Sequence, residues 1–129
     1  YPVVDSDLSR DSYKTFANAP MLPGHRMMYF WEQYVPDLSQ RTDWRCAPLR
    51  AQNHAGLPPA LVIGAGLDPL VDEGRVYVEK LRSSGVSVEY KLFPRMTHAF
   101  FQAPGLLDDA RAASDAAGSA LRTALKIGL

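Results

Sequence analysis

The sequence predicts an α/β fold in which parallel strands are joined by crossover helices. The run Ala60–Ile63 is continuously apolar, as is typical of a strand buried on both faces. Between Val86 and Phe93, apolar and polar residues alternate, which indicates a second strand with one wetter face. An amphipathic helical pattern connects the two and ends at Gly85. Strand–helix–strand order favours a parallel pair with a right-handed crossover.

The elements outside this unit follow in chain order. Tyr1–Val4 resembles the end of a further parallel strand. A helix is predicted over Gly24–Val35, because apolar residues recur at helical spacing and Pro36 ends the pattern. A last, alanine-rich helix is predicted over residues 107–124. Three parallel strands are too few, because the one at Tyr1 would leave an unpaired edge and both faces of the sheet need helical cover, so we expect more protein upstream of Tyr1.

The composition narrows the class of protein. The 129 residues suffice for one domain, and Lys+Arg and Asp+Glu both number 14. This balance argues against a nucleic-acid partner and against a polybasic membrane anchor. No apolar run approaches the roughly 20 residues that span a bilayer. Cys46 is the only cysteine, which fits a reducing compartment, and no signal-peptide pattern is visible. We therefore expect a cytoplasmic protein.

Two side chains at predicted strand ends form the candidate catalytic pair. Asp68 follows the first strand, and His98 follows the predicted loop Pro94–Thr97 after the second. The carboxyl ends of parallel strands share one sheet edge, so the two should meet although 98 − 68 = 30 positions separate them. An acid that accepts the Nδ1 proton of an imidazole leaves Nε2 free as a base. From the residues alone, a helix N-cap role for Asp68 before Pro69 is an equal alternative.

The predicted helix Gly24–Val35 is apolar on more than one side. Core packing accounts for its main stripe, which consists of Met27, Trp31, Tyr34 and Val35. The alternative is a substrate pocket lined by Met27, Met28 and Trp31, because methionine adapts to the shape of a ligand. Phe100, two residues after His98, is a further candidate for substrate contact.

The remaining polar candidates are interpreted as structural. Asp72 and Glu73 fall in the first helical turn, where negative charge suits the helix dipole. His25 and His54 are interpreted as solvated or capping residues. The three histidines lie far apart and only one cysteine is present, so we predict no metal site and no cofactor.

Several ordered motifs resemble the carboxyl-terminal half of an α/β-hydrolase of the hormone-sensitive-lipase-like esterase family. The matching segments are Tyr1–Val3, the aromatic helix Met27–Tyr34, LPPALV at Leu57–Val62, DPLVDEG at Asp68–Gly74, GVSVEY at Gly85–Tyr90, and His98–Phe100. They cover nearly the whole sequence given. One departure is Ala99, which stands where the family usually has glycine, and another is Arg95, in a loop that often has glycine.

The resemblance implies a serine esterase of the carboxylesterase type. Asp68 matches the position of the triad acid and His98 that of the base, whereas the serine elbow and oxyanion loop lie upstream of Tyr1. Residues 5–56 would be a helical and loop insertion that lines the pocket, and residues 57–129 would carry acid and base. Short- to medium-chain acyl esters would be substrates, and the strand Val86–Phe93 would mediate a homodimer.

Two other functions remain open from the sequence. The same scaffold serves as a non-catalytic receptor or binding module for small molecules in some relatives, although these lack the histidine. The 129 residues alone, without a nucleophile, would be an inactive piece of an enzyme. In either case the first partner implied is the amino-terminal half of the same domain.

Overall fold

The computed structural model describes residues 1–126 and divides into two compact units, Tyr1–His98 and a second that begins at Ala99. The first unit contains helices α1 (Asp11–Thr15), α2 (Gly24–Tyr34) and α3 (Val71–Ser83), strands β1 (Ala60–Leu67) and β2 (Val88–Thr97), and two short 3₁₀ turns at Leu38–Gln40 and Pro48–Arg50. The second unit contains a 3₁₀ turn at Phe100–Gln102 and helix α4 (Asp108–Leu125). The predicted α/β class is therefore confirmed.

Strands β1 and β2 pair in parallel, joined by α3 as predicted. The pairing runs from Ala60 opposite Val88 to Ala65 opposite Phe93 and resumes at Leu67 opposite Thr97. From one pairing to the next, β1 advances by 67 − 65 = 2 residues while β2 advances by 97 − 93 = 4. The second strand therefore continues through the predicted loop Pro94–Thr97, and that prediction was wrong.

Gly66 lies at this irregularity, where the two backbones come very close. A Cβ atom at Gly66 would be 2.3 Å from the carbonyl oxygen of Pro94 and 2.6 Å from its Cα. Only glycine can occupy a position where another backbone approaches so closely. Proline is tolerated opposite it because a bulged strand leaves one residue without a ladder hydrogen bond.

Tyr1–Val4 does not form the predicted strand. The Tyr1 nitrogen donates to the carbonyl of Ile63 in β1, but Pro2 has no N–H to continue a ladder. The amides of Val4 and Asp5 point instead at the carboxylate of Glu73. The sheet of the described residues thus has two strands, and the far edge of β2 has no strand partner within residues 1–126. The dimer expected through this strand stays a prediction.

The core of the first unit gathers under α2. Its buried side chains are Tyr13, Leu22, Met27, Trp31 and Leu70. Helix α2 ends at Tyr34 because the residue before Pro36 avoids helical angles, and Val35 has φ −136° and ψ 84°. Met27 and Trp31 therefore pack inward as the stripe predicted, whereas Tyr34, on the same predicted stripe, is exposed.

Candidate active site

Asp68 lies immediately after β1 and is completely buried. Its Oδ1 accepts the backbone N–H of Leu70 at 2.9 Å, a local turn typical of aspartate. Helix α3 begins at Val71 with Leu70 as its N-cap residue, so the alternative N-cap position for Asp68 was wrong. Its second oxygen, Oδ2, faces His98 at 2.8 Å. The same carboxylate therefore stabilises the local turn through Oδ1 and orients the histidine through Oδ2.

His98 reaches Asp68 because of the strand register. Leu67, the last residue of β1, pairs with Thr97, the last residue of β2. The residues that follow them, Asp68 and His98, therefore lie side by side at the carboxyl edge of the sheet. The Nδ1–H of His98 donates to Asp68 Oδ2, because a carboxylate can only accept. In the neutral ring the Nε2 lone pair is then available to take a proton. The side chain of His98 is 23% exposed, so part of the ring remains accessible to solvent or to a ligand.

A second aromatic ring borders the histidine. The centroids of the Tyr1 and His98 rings are 4.6 Å apart, with a tilt of 60°. Sequence reasoning treated Tyr1 only as the end of a strand. Nothing in the pattern of a single sequence indicates that this ring reaches a histidine 97 positions away (98 − 1 = 97).

Glu73 has more contacts than the sequence predicted, since its charge was expected only to interact favourably with the helix dipole. It is completely buried and accepts the N–H groups of Val4 and Asp5 at 2.7 and 3.3 Å and the hydroxyl of Tyr13 at 2.9 Å. Burial raises the pKa of Glu73 to about 7, although the three donors oppose this shift. The helical spacing contained a signal: the stripe that the sequence predicts to face inward comprises Gly74, Tyr77, Val78 and Leu81, and Glu73 lies four residues before Tyr77.

An apolar cavity opens beside α2, with a volume of about 400 Å³. Its lining side chains are Val3, Met27, Phe30, Trp31, Tyr34, Arg45, Cys46 and Pro48. Two of the predicted substrate contacts, Met27 and Trp31, are therefore among its walls. Met28 is exposed and does not line it, and Phe100, which is buried, does not line it either.

The other titratable residues of the described part of the chain form no metal site. Within residues 1–126, no group of three or more His, Cys, Asp or Glu side chains is arranged to hold an ion. His25 is exposed, as expected. His54, interpreted as solvated or capping, is instead buried, with Nε2 2.9 Å from the carbonyl oxygen of Pro48 and its ring edge-on to Tyr77. Among the described helices, none has the length and hydrophobicity of a membrane span.

Ala99 has left-handed backbone angles, φ 66° and ψ 6°. A residue with a Cβ pays roughly 1 kcal/mol in this region, whereas glycine does not. The departure from the family's glycine is therefore a source of local strain next to His98.

Replacing Ala99 with glycine is expected to raise the free energy of unfolding by about 0.5–1 kcal/mol, since relief of the left-handed strain exceeds the added flexibility of the unfolded chain. Urea denaturation of the whole protein would measure this. The matched control is Ala112→Gly on the exposed face of α4, which should lower stability by about 1 kcal/mol. A loss of stability in both variants would contradict the assignment of strain to Ala99.

A buried acid bonded to a histidine, at adjoining carboxyl ends of parallel strands joined by a crossover helix, defines the class of α/β hydrolases. Residues 1–102 match the family described as alpha/beta hydrolase fold, and the chain belongs to this family. The predicted resemblance is thereby confirmed.

Related proteins with named activities are ester hydrolases. The chain is 35% identical over 126 residues to the carboxylic ester hydrolase LipN of Mycobacterium tuberculosis, covering 97% of this chain and 34% of the relative. It is 31% identical over 110 residues to an ethyl acetate hydrolase of Pseudomonas putida, covering 85% of this chain and 35% of that protein. The chain thus spans about a third of the length of these relatives.

Solved structures agree with this assignment. The carboxylesterase EstE1, cloned from a metagenomic library, superposes with a TM-score of 0.89 at 36% identity over 95% of this chain and 42% of its own. The α/β hydrolase LAE6 from the metagenome of Lake Arreo superposes with a TM-score of 0.84 at 41% identity, covering 91% and 37%. The fold of the described residues is therefore that of an α/β hydrolase.

Proposed function

We propose that the protein containing this chain is a carboxylic ester hydrolase with a Ser-His-Asp triad, to which this chain contributes Asp68 and His98. The observation that carries the proposal is the 2.8 Å contact between His98 Nδ1 and the fully buried Asp68 Oδ2. Burial removes competing water, so the carboxylate orients the imidazole and stabilises its charged form. The nucleophilic serine comes from outside residues 1–129, so these residues alone are inactive.

In the proposed reaction, Nε2 of His98 acts first as a base and then as an acid, both in acylation and in deacylation of the serine. As the serine oxygen attacks the ester carbonyl, Nε2 takes the hydroxyl proton, and Asp68 stabilises the imidazolium. When the tetrahedral intermediate collapses, the same proton passes to the departing alkoxide, which leaves as an alcohol. Water then attacks the acyl-enzyme by the same route and releases the carboxylic acid.

The proposed substrates are short- to medium-chain acyl esters. The cavity beside α2 supports this choice, since its 400 Å³ volume and mostly apolar lining suit an alkyl chain. Val3 lines the cavity and Tyr1 contacts His98, and two residues of extended chain span about 7 Å. In the proposed complex, the acyl chain occupies this cavity and the ester carbonyl extends past Val3 toward His98.

Labelling by a fluorophosphonate tests the function directly. The full-length protein is expected to form a covalent serine adduct and to hydrolyse p-nitrophenyl esters, with kcat/KM highest for acyl chains of short to medium length. Pre-labelling should abolish turnover. Saturable binding of the ester without turnover or adduct would instead identify a binding module and refute the hydrolase.

A further inference from the structure

The carboxylate of Glu73 joins two segments that flank the candidate pair. Helix α3, which carries Glu73, begins three residues after Asp68. Two of its three donors lie in the segment that starts at Tyr1: the amides of Val4 and Asp5 share Oε1 at 2.7 and 3.3 Å. Both of these residues are buried. The bond therefore ties the start of the chain to the helix that follows the acid.

The same segment, Tyr1–Asp5, also contacts the histidine. Three residues before Val4, the ring of Tyr1 lies 4.6 Å from the His98 ring, and Val3 lines the apolar cavity. No helix or strand includes this segment, so neighbouring elements hold its backbone. The Tyr1 nitrogen donates to the carbonyl of Ile63, and the Leu49 N–H donates to the carbonyl of Val4 at 2.9 Å. Glu73 accepts hydrogen bonds from two consecutive backbone amides of the segment, those of Val4 and Asp5.

We propose that Glu73 is a positioning residue for the triad histidine. By accepting hydrogen bonds from the Val4 and Asp5 amides, its carboxylate keeps the Tyr1 ring in contact with the His98 ring. This contact in turn keeps the His98 Nδ1 oriented toward Asp68. The catalytic part of this proposal rests on the proposed ester hydrolysis. The positioning itself concerns only residues of the chain described above.

The surroundings of Glu73 make its protonation state matter. Facing it are the Tyr13 hydroxyl of α1 and the carboxylate of Asp5, which in turn pairs with Arg10 and Arg50. Burial, and then the neighbouring Glu73, raise the pKa of Tyr13, so this hydroxyl remains a donor. Burial also raises the pKa of Glu73 itself to about 7, well above the ordinary value for a glutamate.

The sign of the pH effect follows from this upward shift. Since the folded state holds its proton more tightly, the stability that Glu73 contributes is complete below about pH 4.5 and is lost as pH rises through about 7. Glutamine at position 73 mimics the protonated acid, keeps an oxygen for the two amides and cannot titrate. The difference in stability between wild type and Glu73→Gln should therefore depend on pH between about 4.5 and 7.

The experiment follows the His98 ring by NMR in the full-length protein, with its signal assigned by its absence in His98→Asn. Glu73→Ala should displace the His98 titration midpoint and lower kcat about 10- to 100-fold, because a small misplacement of a catalytic group is costly. Glu73→Gln should restore both. The matched control is Glu79→Gln, an exposed acid on the same helix, which should change neither.

Two further variants keep the test decisive if Glu73→Ala does not fold. Tyr1→Leu removes the ring that touches His98, and Tyr13→Phe removes one donor to Glu73. Each should move the His98 titration in the direction of Glu73→Ala. Reduced melting temperature with an unchanged His98 titration would overturn the positioning role. Absence of ester turnover in the wild type would refute the hydrolase alone, since the NMR measurement does not depend on it.

Discussion

Replacing His98 with alanine in the full-length protein is expected to lower kcat for p-nitrophenyl esters by about 10⁴-fold or more. The substitution removes the imidazole that the buried Asp68 orients, and the serine of the proposed triad would then lose its base. KM should change little, because the imidazole acts on the serine proton rather than on the ester. Steady-state kinetics with an active-site-titrated enzyme would measure this, and retained wild-type turnover would refute the assignment.

Asp68→Asn provides the comparison within the pair. The amide keeps the size of the side chain and can still accept the Leu70 amide, but it no longer offers an anionic partner to the imidazolium. We expect a loss in kcat of about 10³- to 10⁴-fold. The double variant should be no worse than His98→Ala alone, because residues that act as a unit are not additive. Additive losses would mean that Asp68 and His98 act separately.

Gly66→Ala is expected to destabilise the protein by about 3 kcal/mol or more. The new methyl group would meet the Pro94 backbone at 2.3 Å, and neither strand has a flexible side chain there that can move aside. The strands must therefore shift at the position from which Asp68 and His98 extend. We expect activity to fall about 100-fold in the folded fraction, since displacement of about 1 Å has effects of this size.

Gly105→Ala is the matched control for this substitution. It lies in an exposed turn where a Cβ would meet no atom within 4 Å, so stability should change by less than about 0.5 kcal/mol. Guanidinium denaturation and melting temperature would compare the two variants. Equal tolerance of alanine at both positions would show that the close approach between Gly66 and Pro94 has no energetic importance.

The parts of the site predicted from the sequence are those set by local pattern. Parallel pairing follows from strand–helix–strand order, and it alone brings Asp68 and His98 to the same edge. The extension of β2 through Pro94 could not be predicted, because it depends on a bulge opposite Gly66 that only the paired strand reveals.

Other features depend on individual contacts that a hydrophobic pattern does not indicate. Glu73 and His54 are polar residues whose burial is made possible by partners that single-sequence patterns do not indicate: two remote amides and a tyrosine in one case, the carbonyl of Pro48 in the other. The strand predicted at Tyr1–Val4 is absent for the same reason, since the Val4 amide donates to Glu73 rather than to a sheet partner.

Asp68 and His98 belong to one continuous β–α–β unit, and its own strand register sets their spacing. A genetic exchange of this unit between homologous enzymes would therefore transmit acid and base together, along with the glycine that fixes their separation. What it would not transmit is the pair of amides at Val4 and Asp5, which lie in an earlier part of the chain. Recombination is best tolerated between parents whose upstream segments offer an equivalent pair of N–H groups to the inherited glutamate.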